Sequence, residues 1–334
     1  MSYDNIRIEK SLYTTGKSFT QALEALDPSE NYKGTSLEGL DAYERQLKRF
    51  DIKVSGENCD TVSKFFQTSD SAALFPEFVS RSIKLGMREA CTVDKIIATT
   101  SYIDSLDYRS ISLEDTTDLV DFINVAEGSA FSDVKITVKD KLTKLKKYGK
   151  MISASYEAIK FQKLDLFSIT LRRIGENMVY YEAYDALATI DKPTVNKITY
   201  TASSTGETFT YDNLIDIYTM MKPYNLTTIL VDPKSFARLL KLPEMRDANA
   251  GLDFHGTGRM VTPFGAEVYC LKEMDSDTLI AIDKNYAFER VIASDITTDF
   301  DKLIDRQIER ATVSTIVGFS NIFPDAVAML VKAK

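Results

Sequence analysis

The chain has 334 residues, 44% hydrophobic and 27% charged, enough to bury one large or two moderate cores and too apolar for wholesale disorder. A net charge of −8 and a pI near 5.0 exclude a dedicated nucleic-acid binder, which needs a basic footprint, but not a container whose wall weakly repels DNA. No apolar run reaches the roughly 18 residues of a membrane span, the first thirty residues lack a signal-peptide core, and Cys59, Cys91 and Cys270 read as reduced thiols rather than a disulfide framework.

Residues 1–75 read as an arm rather than a domain. Helical spacing predicts one short helix over Ser18–Leu26 and a second over Leu37–Phe50, separated by Pro28 and Gly34. In the second, Leu40, Tyr43, Leu47 and Phe50 share a face, and Glu44 and Lys48 form a supporting pair four residues apart. Helices this short need a surface to dock on, and these four residues are candidates for contact with a neighbouring chain. A helix then runs from Leu74 or Phe75 to about Glu89. Strand patterns at Tyr108–Ile111 and Val134–Val138, with a polar, Gly-containing stretch at Asn124–Asp133 between them, predict a long two-stranded excursion. Glu127 near its tip is a further contact candidate. The longest helix is expected over about Asp165–Thr189, with Asp165 as N-cap and Leu166, Ile169, Ile174, Met178, Tyr181 and Ala188 on its core face, ended by Pro193.

After Pro193 the pattern becomes a compact α/β layer: helix Tyr211–Met221, strand Thr227–Val231, helix Pro233–Leu240, a Gly-rich segment Asp247–Gly265, and strands Ala266–Leu271, Thr278–Ile282 and Phe288–Ala293 completing a sheet. Strand-like runs Leu303–Arg310, Thr312–Phe319 and Ala326–Val331 close the chain.

Chemical signals are few. Thr15-Gly16-Lys17-Ser18 mimics the end of a phosphate-binding loop, but position 11 is serine where the motif needs glycine, so a turn capping the first helix is the better reading. His255, the only histidine, sits in Phe254-His255-Gly256-Thr257-Gly258 without metal-ligand spacing around it. Asp295, Asp299, Asp301, Asp305 and Glu309 alternate with Lys302, Arg306 and Arg310, which points to a solvated strand face making ion pairs between subunits rather than a cation site. Lys135, Lys139, Lys141, Lys144, Lys146, Lys147 and Lys150 crowd the return of the excursion. Contact with an acidic neighbour, contact with packaged DNA and a lysine-protected edge strand compete for them. No catalytic residue, cofactor or metal is expected.

Several segments in order resemble the major capsid proteins of tailed bacteriophages: Leu40–Lys53 (LDAYERQLKRFDIK), Asp70–Arg81 (DSAALFPEFVSR), Ala126–Ala130 (AEGSA), Leu142–Ile159 (LTKLKKYGKMISASYEAI), Leu164–Glu176 (LDLFSITLRRIGE) and Phe264–Leu271 (FGAEVYCL). The resemblance covers nearly the whole chain. It implies an α+β, Hong Kong 97-like capsid fold with an N-terminal arm (1–75), the start of a peripheral domain (76–98), an extended loop (99–133), the peripheral domain with return strand and spine helix (134–193), an axial domain (194–297), and closing strands with a C-terminal segment (298–334). Self-assembly as pentamers and hexamers into an icosahedral head around double-stranded DNA would follow. A separate scaffolding protein, a portal and decoration proteins would be its partners, with no membrane, and the shell would be assembled in the bacterial host cytoplasm to become the virion capsid. His255, Gly256 and Gly258 would line the capsomer axis, and one of the lysines is a candidate for covalent cross-linking. An encapsulin-like cellular compartment and a soluble α/β enzyme are the alternative readings.

Overall fold

The structure is a computed structural model that describes residues 3–14, 18–90, 92–113, 124, 127–129, 136–190, 195–200, 210–246, 260–272, 274–275 and 277–332. In chain order the helices are α1 (Phe19–Leu26), α2 (Ala42–Arg49), α3 (Ser69–Ala72), α4 (Phe75–Ala90), α5 (Tyr156–Phe161), α6 (Leu164–Ala188), α7 (Tyr211–Met220), α8 (Pro233–Lys241) and α9 (Pro243–Arg246). The strands are β1 (Ile97–Tyr102), β2 (Ile111–Leu113), β3 (Ile136–Val138), β4 (Leu145–Ser155), β5 (Asn196–Tyr200), β6 (Thr228–Val231), β7 (Glu267–Cys270), β8 (Thr278–Ile282), β9 (Phe288–Leu303), β10 (Ile308–Asn321) and β11 (Val327–Lys332). They form sheets in the orders β1-β9-β10-β4, β5-β11-β8-β6-β7 and β2-β3. The chain divides into two compact units.

The first unit comprises Met1–Ala90, Lys147–Met178 and Asp295–Thr315. Its two short N-terminal helices start where side chains can satisfy their orphan amides: Ser18 caps α1 and Asp41 caps α2, each with a reciprocal bond from the third residue, Gln21 or Glu44. Glu44 therefore serves the cap, and α2 begins at Ala42 rather than Leu37. Phe19, Leu23, Tyr43 and Leu47 are buried in one cluster with Phe65, Phe75, Phe78, Ile83, Leu164 and Leu171. The segment read as an arm is thus built into this unit's own core. Arg45, fully buried, fixes the path between the two helices. Its Nε donates to Asp27 at 2.7 Å, its Nη atoms donate to the Asp27 and Leu40 carbonyls and to Ser29, and its guanidinium lies over the Tyr32 ring.

The contact between α4 and α6 is backbone on backbone. A Cβ at Gly86 would sit 2.1 Å from the Arg172 carbonyl oxygen, and one at Gly175 would sit 2.1 Å from that of Ile83. No side chain fits either position. The buried stripe of α6 is Leu164, Leu171, Gly175, Val179, Ala183 and Ala186. Leu166, Ile169, Tyr181 and Ala188, expected on the core face, are exposed, and Ile174 and Met178 are partly buried against the first unit's core. The helix carries large apolar residues on several faces, so the closest approach is marked by its small residues instead. Asp165, expected as the N-cap, is instead the second residue of α6 and lies in the first turn, where a carboxylate complements the helix dipole.

The second unit comprises Cys91–Lys146, Val179–Ser294 and Ile316–Lys334. In its five-stranded sheet β8 is central, antiparallel to β11 and β6, with Ala281 facing Ala328 on one side and Ile229 on the other. β5 and β7 add parallel outer strands. All five residues of β8 are buried, the pattern of a strand covered on both faces. Asp232 caps α8 through the Lys234 and Ser235 amides, with Pro233 in the first turn. Phe288–Ala293, expected to complete this sheet, instead opens β9 and pairs parallel with β1 (Thr99 with Glu289, Tyr102 with Ile292). The place is taken by β11. Both segments have strand-like patterns, and periodicity alone does not assign either to a sheet. Leu303–Arg310 also differs: β9 ends at Leu303 and a 3₁₀ turn (Ile304–Arg306) leads to β10.

Two stability predictions follow from this packing. Gly175→Ala must push α4 and α6 apart and should lower stability by about 3 kcal/mol. Arg45→Met leaves the Asp27 carboxylate buried without its cation and should cost a similar ~3 kcal/mol. Denaturant melts of the purified variants check both, and a wild-type midpoint in either contradicts the packing described.

Candidate assembly surfaces

The two-stranded excursion rises from β1 and returns to β4. At its base the two arms are stitched together, the Thr143 amide donating to the Tyr108 carbonyl and the Lys139 amide to that of Ser110. Above this, β2 and β3 pair antiparallel, Ile111 opposite Val138 and Leu113 opposite Ile136. Alternation along each strand places Ile111, Ile136 and Val138 on one face. That face is bare: Ile111 is 52% exposed, Ile136 71% and Val138 60%. A two-stranded ribbon cannot bury a face by itself, so three β-branched side chains are left for another surface. The excursion was foreseen at Tyr108–Ile111 and Val134–Val138. Its paired segments begin at Ile111 and Ile136, and residues 134 and 135 lie outside the described residues.

Beneath the ribbon is a buried carboxylate. Glu289 of β9 accepts from Ser101 Oγ (2.6 Å) and Tyr108 OH (2.5 Å) on one oxygen and from Ser110 Oγ (2.5 Å) on the other. Burial, followed by the bond to Glu289, raises the Tyr108 pKa. Lys139, expected as an exposed contact lysine, is partly buried here. Its Nζ donates to the Asn321 main-chain carbonyl, and desolvation lowers its pKa against the opposing pull of Glu289.

The other lysines divide. Lys141, Lys144 and Lys147 are exposed, while Lys146 pairs with Asp185 at 2.7 Å. Glu127 is exposed as well. Of the acidic strand's carboxylates, Asp295 pairs with Lys84 (2.9 Å) and Asp301 with Arg310 (2.6 Å) within the chain. Tyr43 and Leu47 are buried in their own unit, so the docking of α2 on a neighbour through these two side chains is set aside; Leu40 and Phe50 are half-buried. His255, Gly256 and Gly258 lie outside the described residues, as do Thr15, Gly16 and Lys17.

Elsewhere the second unit has a cleft of about 260 Å³ lined by Lys95, Thr227, Thr228, Gly265, Glu267 and Lys284. Lys95 is held there by Glu267 at 2.9 Å, and Tyr269 donates to Glu267, which with burial pushes the phenol up to about 12. Lys95, Glu267 and Tyr269 thus satisfy one another. Among the described residues, no group of three His, Cys, Asp or Glu side chains could hold a metal ion, and no helix is long and apolar enough to cross a membrane. Sequence reasoning missed the bare ribbon face and Glu289. The signals were present: β-branched residues in an excursion too thin to cover them, and an acid, Glu289, inside the strand-like stretch Phe288–Ala293.

Comparison with known proteins agrees with this architecture. Residues 138–327 match the family described as phage capsid protein. No curated protein matches. Among solved structures, the virus-like particle from Pyrococcus furiosus is 13% identical over 77% of this chain and 99% of its own, with a TM-score of 0.51. The capsid of the native GTA particle is 14% identical over 73% and 91%, with a TM-score of 0.53. That of Microbacterium phage Oxtober96 is 11% identical over 72% and 91%, with a TM-score of 0.51. At such identities the likeness is one of fold, an α+β, Hong Kong 97-like capsid fold. The family match spans more than half of the sequence, and the chain belongs to the phage capsid protein family.

Proposed function

We propose that this chain is the major capsid protein of a tailed bacteriophage, which assembles as pentamers and hexamers into an icosahedral head around double-stranded DNA. The observation that carries the reading is the bare apolar face of the β2–β3 ribbon, displayed on an excursion whose base is rigidly stitched. Covering Ile111, Ile136 and Val138 on a neighbouring copy contributes roughly 1 kcal/mol per side chain, weak for one contact but repeated at every subunit of a closed shell. The exposed Lys141, Lys144 and Lys147 steer the ribbon toward an acidic partner, and a chain of net charge −8 supplies one. The same negative balance suits an inner wall past which DNA slides without sequence-specific recognition. Residues 194–297 would face the symmetry axes, with His255, Gly256 and Gly258 at the capsomer centre. A separate scaffolding protein, a portal and decoration proteins would complete a head assembled in the host cytoplasm.

The second reading, an encapsulin-like cellular compartment, draws on the fold shared with the Pyrococcus furiosus particle. Nuclease-protected DNA in particles from infected cells distinguishes the two. Expressed with its scaffolding partner the chain should give closed shells, and alone it should give capsomers, tubes or aberrant shells. Electron microscopy and sedimentation check this, and a stable monomer under both conditions contradicts it. The double variant Ile136→Ser, Val138→Ser should melt within about 0.5 kcal/mol of wild type, because its side chains are already in water, yet fail to close shells. Lys144→Glu with Lys147→Glu should weaken assembly most at low salt, where exposed charges are least screened. Normal assembly of both variants would remove the ribbon from the interface.

A further inference from the structure

We propose that Glu289 is a positioning residue, a latch with Lys139 that sets the direction in which the extended loop leaves the body of the subunit; this rests on the assembly reading above. The carboxylate is almost fully buried, at 5% exposure, and it receives three hydroxyl donors from two places. Ser101 belongs to β1, and Tyr108 and Ser110 belong to the outgoing arm of the loop. The returning arm is tied in through Lys139. Its amide donates to the Ser110 carbonyl, its Nζ donates to the Asn321 carbonyl at the end of β10, and its charge faces Glu289. Both arms therefore converge on one anion and one strand end.

A buried carboxylate left without donors is costly, and a desolvated ammonium without an acceptor equally so. Two of the three hydroxyls and the lysine lie on the loop arms, so the anion is satisfied only when the loop leaves in this one direction. The coupling also runs the other way. Swinging either arm would break hydrogen bonds to charged groups, which are stronger than neutral ones, and would strand the partner groups. The latch thereby presents the Ile111, Ile136 and Val138 face at a fixed angle before a neighbour arrives, so that less ordering is left to be done on contact.

Hydrogen exchange on the full-length, unassembled protein tests the latch without requiring a shell. Glu289→Gln keeps the shape and removes the charge. It should raise exchange at least tenfold in residues 103–113 and 136–145, while β6, β8 and β11 keep wild-type protection. Lys139→Met should raise exchange in the same segments by a smaller factor. Unchanged exchange in these segments would overturn the proposal. So would an equal rise throughout β6, β8 and β11, since Glu289 would then be an ordinary part of the core. Should Glu289→Gln be insoluble, Tyr108→Phe and Lys139→Met decide by the same pattern, because each removes one donor and leaves the anion. A wild-type chain that shows a protected loop base yet never forms shells would refute the assembly reading and leave the latch standing.

Discussion

The first unit is organised by the absence of two side chains. Where α4 crosses α6, Gly86 meets the Arg172 carbonyl and Gly175 meets that of Ile83 at distances that no Cβ tolerates, so the helices approach until their backbones touch. That approach brings Ile83 and Leu171 into one cluster with the phenylalanines of the α4 start. The same cluster receives Phe19, Leu23, Tyr43 and Leu47 from the N-terminal helices. Burial of this apolar surface, not any one polar contact, holds the short helices in place. The close contact is also rigid, because a packed interior responds to displacement as a solid does.

Two buried charges then define geometry that hydrophobic packing would leave loose. Arg45 ties α1 to α2 through Asp27 and two carbonyls. Glu289 gathers the loop arms through three hydroxyls. Neither arrangement adds much net stability, since each group had to leave water. Their effect is directional: each charge is satisfied in one chain path only.

Much of this was legible in the sequence. Ser18 and Asp232 followed by Pro233 mark helix starts through the chemistry of orphan amides. Asp41 does the same for α2 although helical spacing extends that helix back to Leu37, and Thr278–Ile282 is a strand as expected. The failures have physical causes. On α6 large apolar residues occur all round, so Leu166, Ile169 and Tyr181 looked like core, whereas the buried stripe runs through Leu171, Gly175, Ala183 and Ala186, and at Gly175 backbone proximity replaces side-chain volume. Phe288–Ala293 and Val327–Lys332 both have strand-like patterns, and only long-range pairing decides that β11 joins β8 while β9 joins β1. Lys139 sits in a run of solvated lysines and is singled out by a partner 150 residues and more away in sequence, at Glu289 and Asn321. Local pattern cannot carry that information. The resemblance to capsid proteins could, because it rests on the order of elements along the whole chain.

In the assembly proposed above, the apolar ribbon face is covered by another copy of this chain. A cryo-electron microscopy reconstruction of the assembled particle, at a resolution that traces side chains, measures this directly. The account predicts Ile111, Ile136 and Val138 buried against a neighbouring subunit, with Lys144 and Lys147 within ion-pair distance of its carboxylates. A closed shell in which that face remains in solvent, or folds back onto its own subunit, would contradict it.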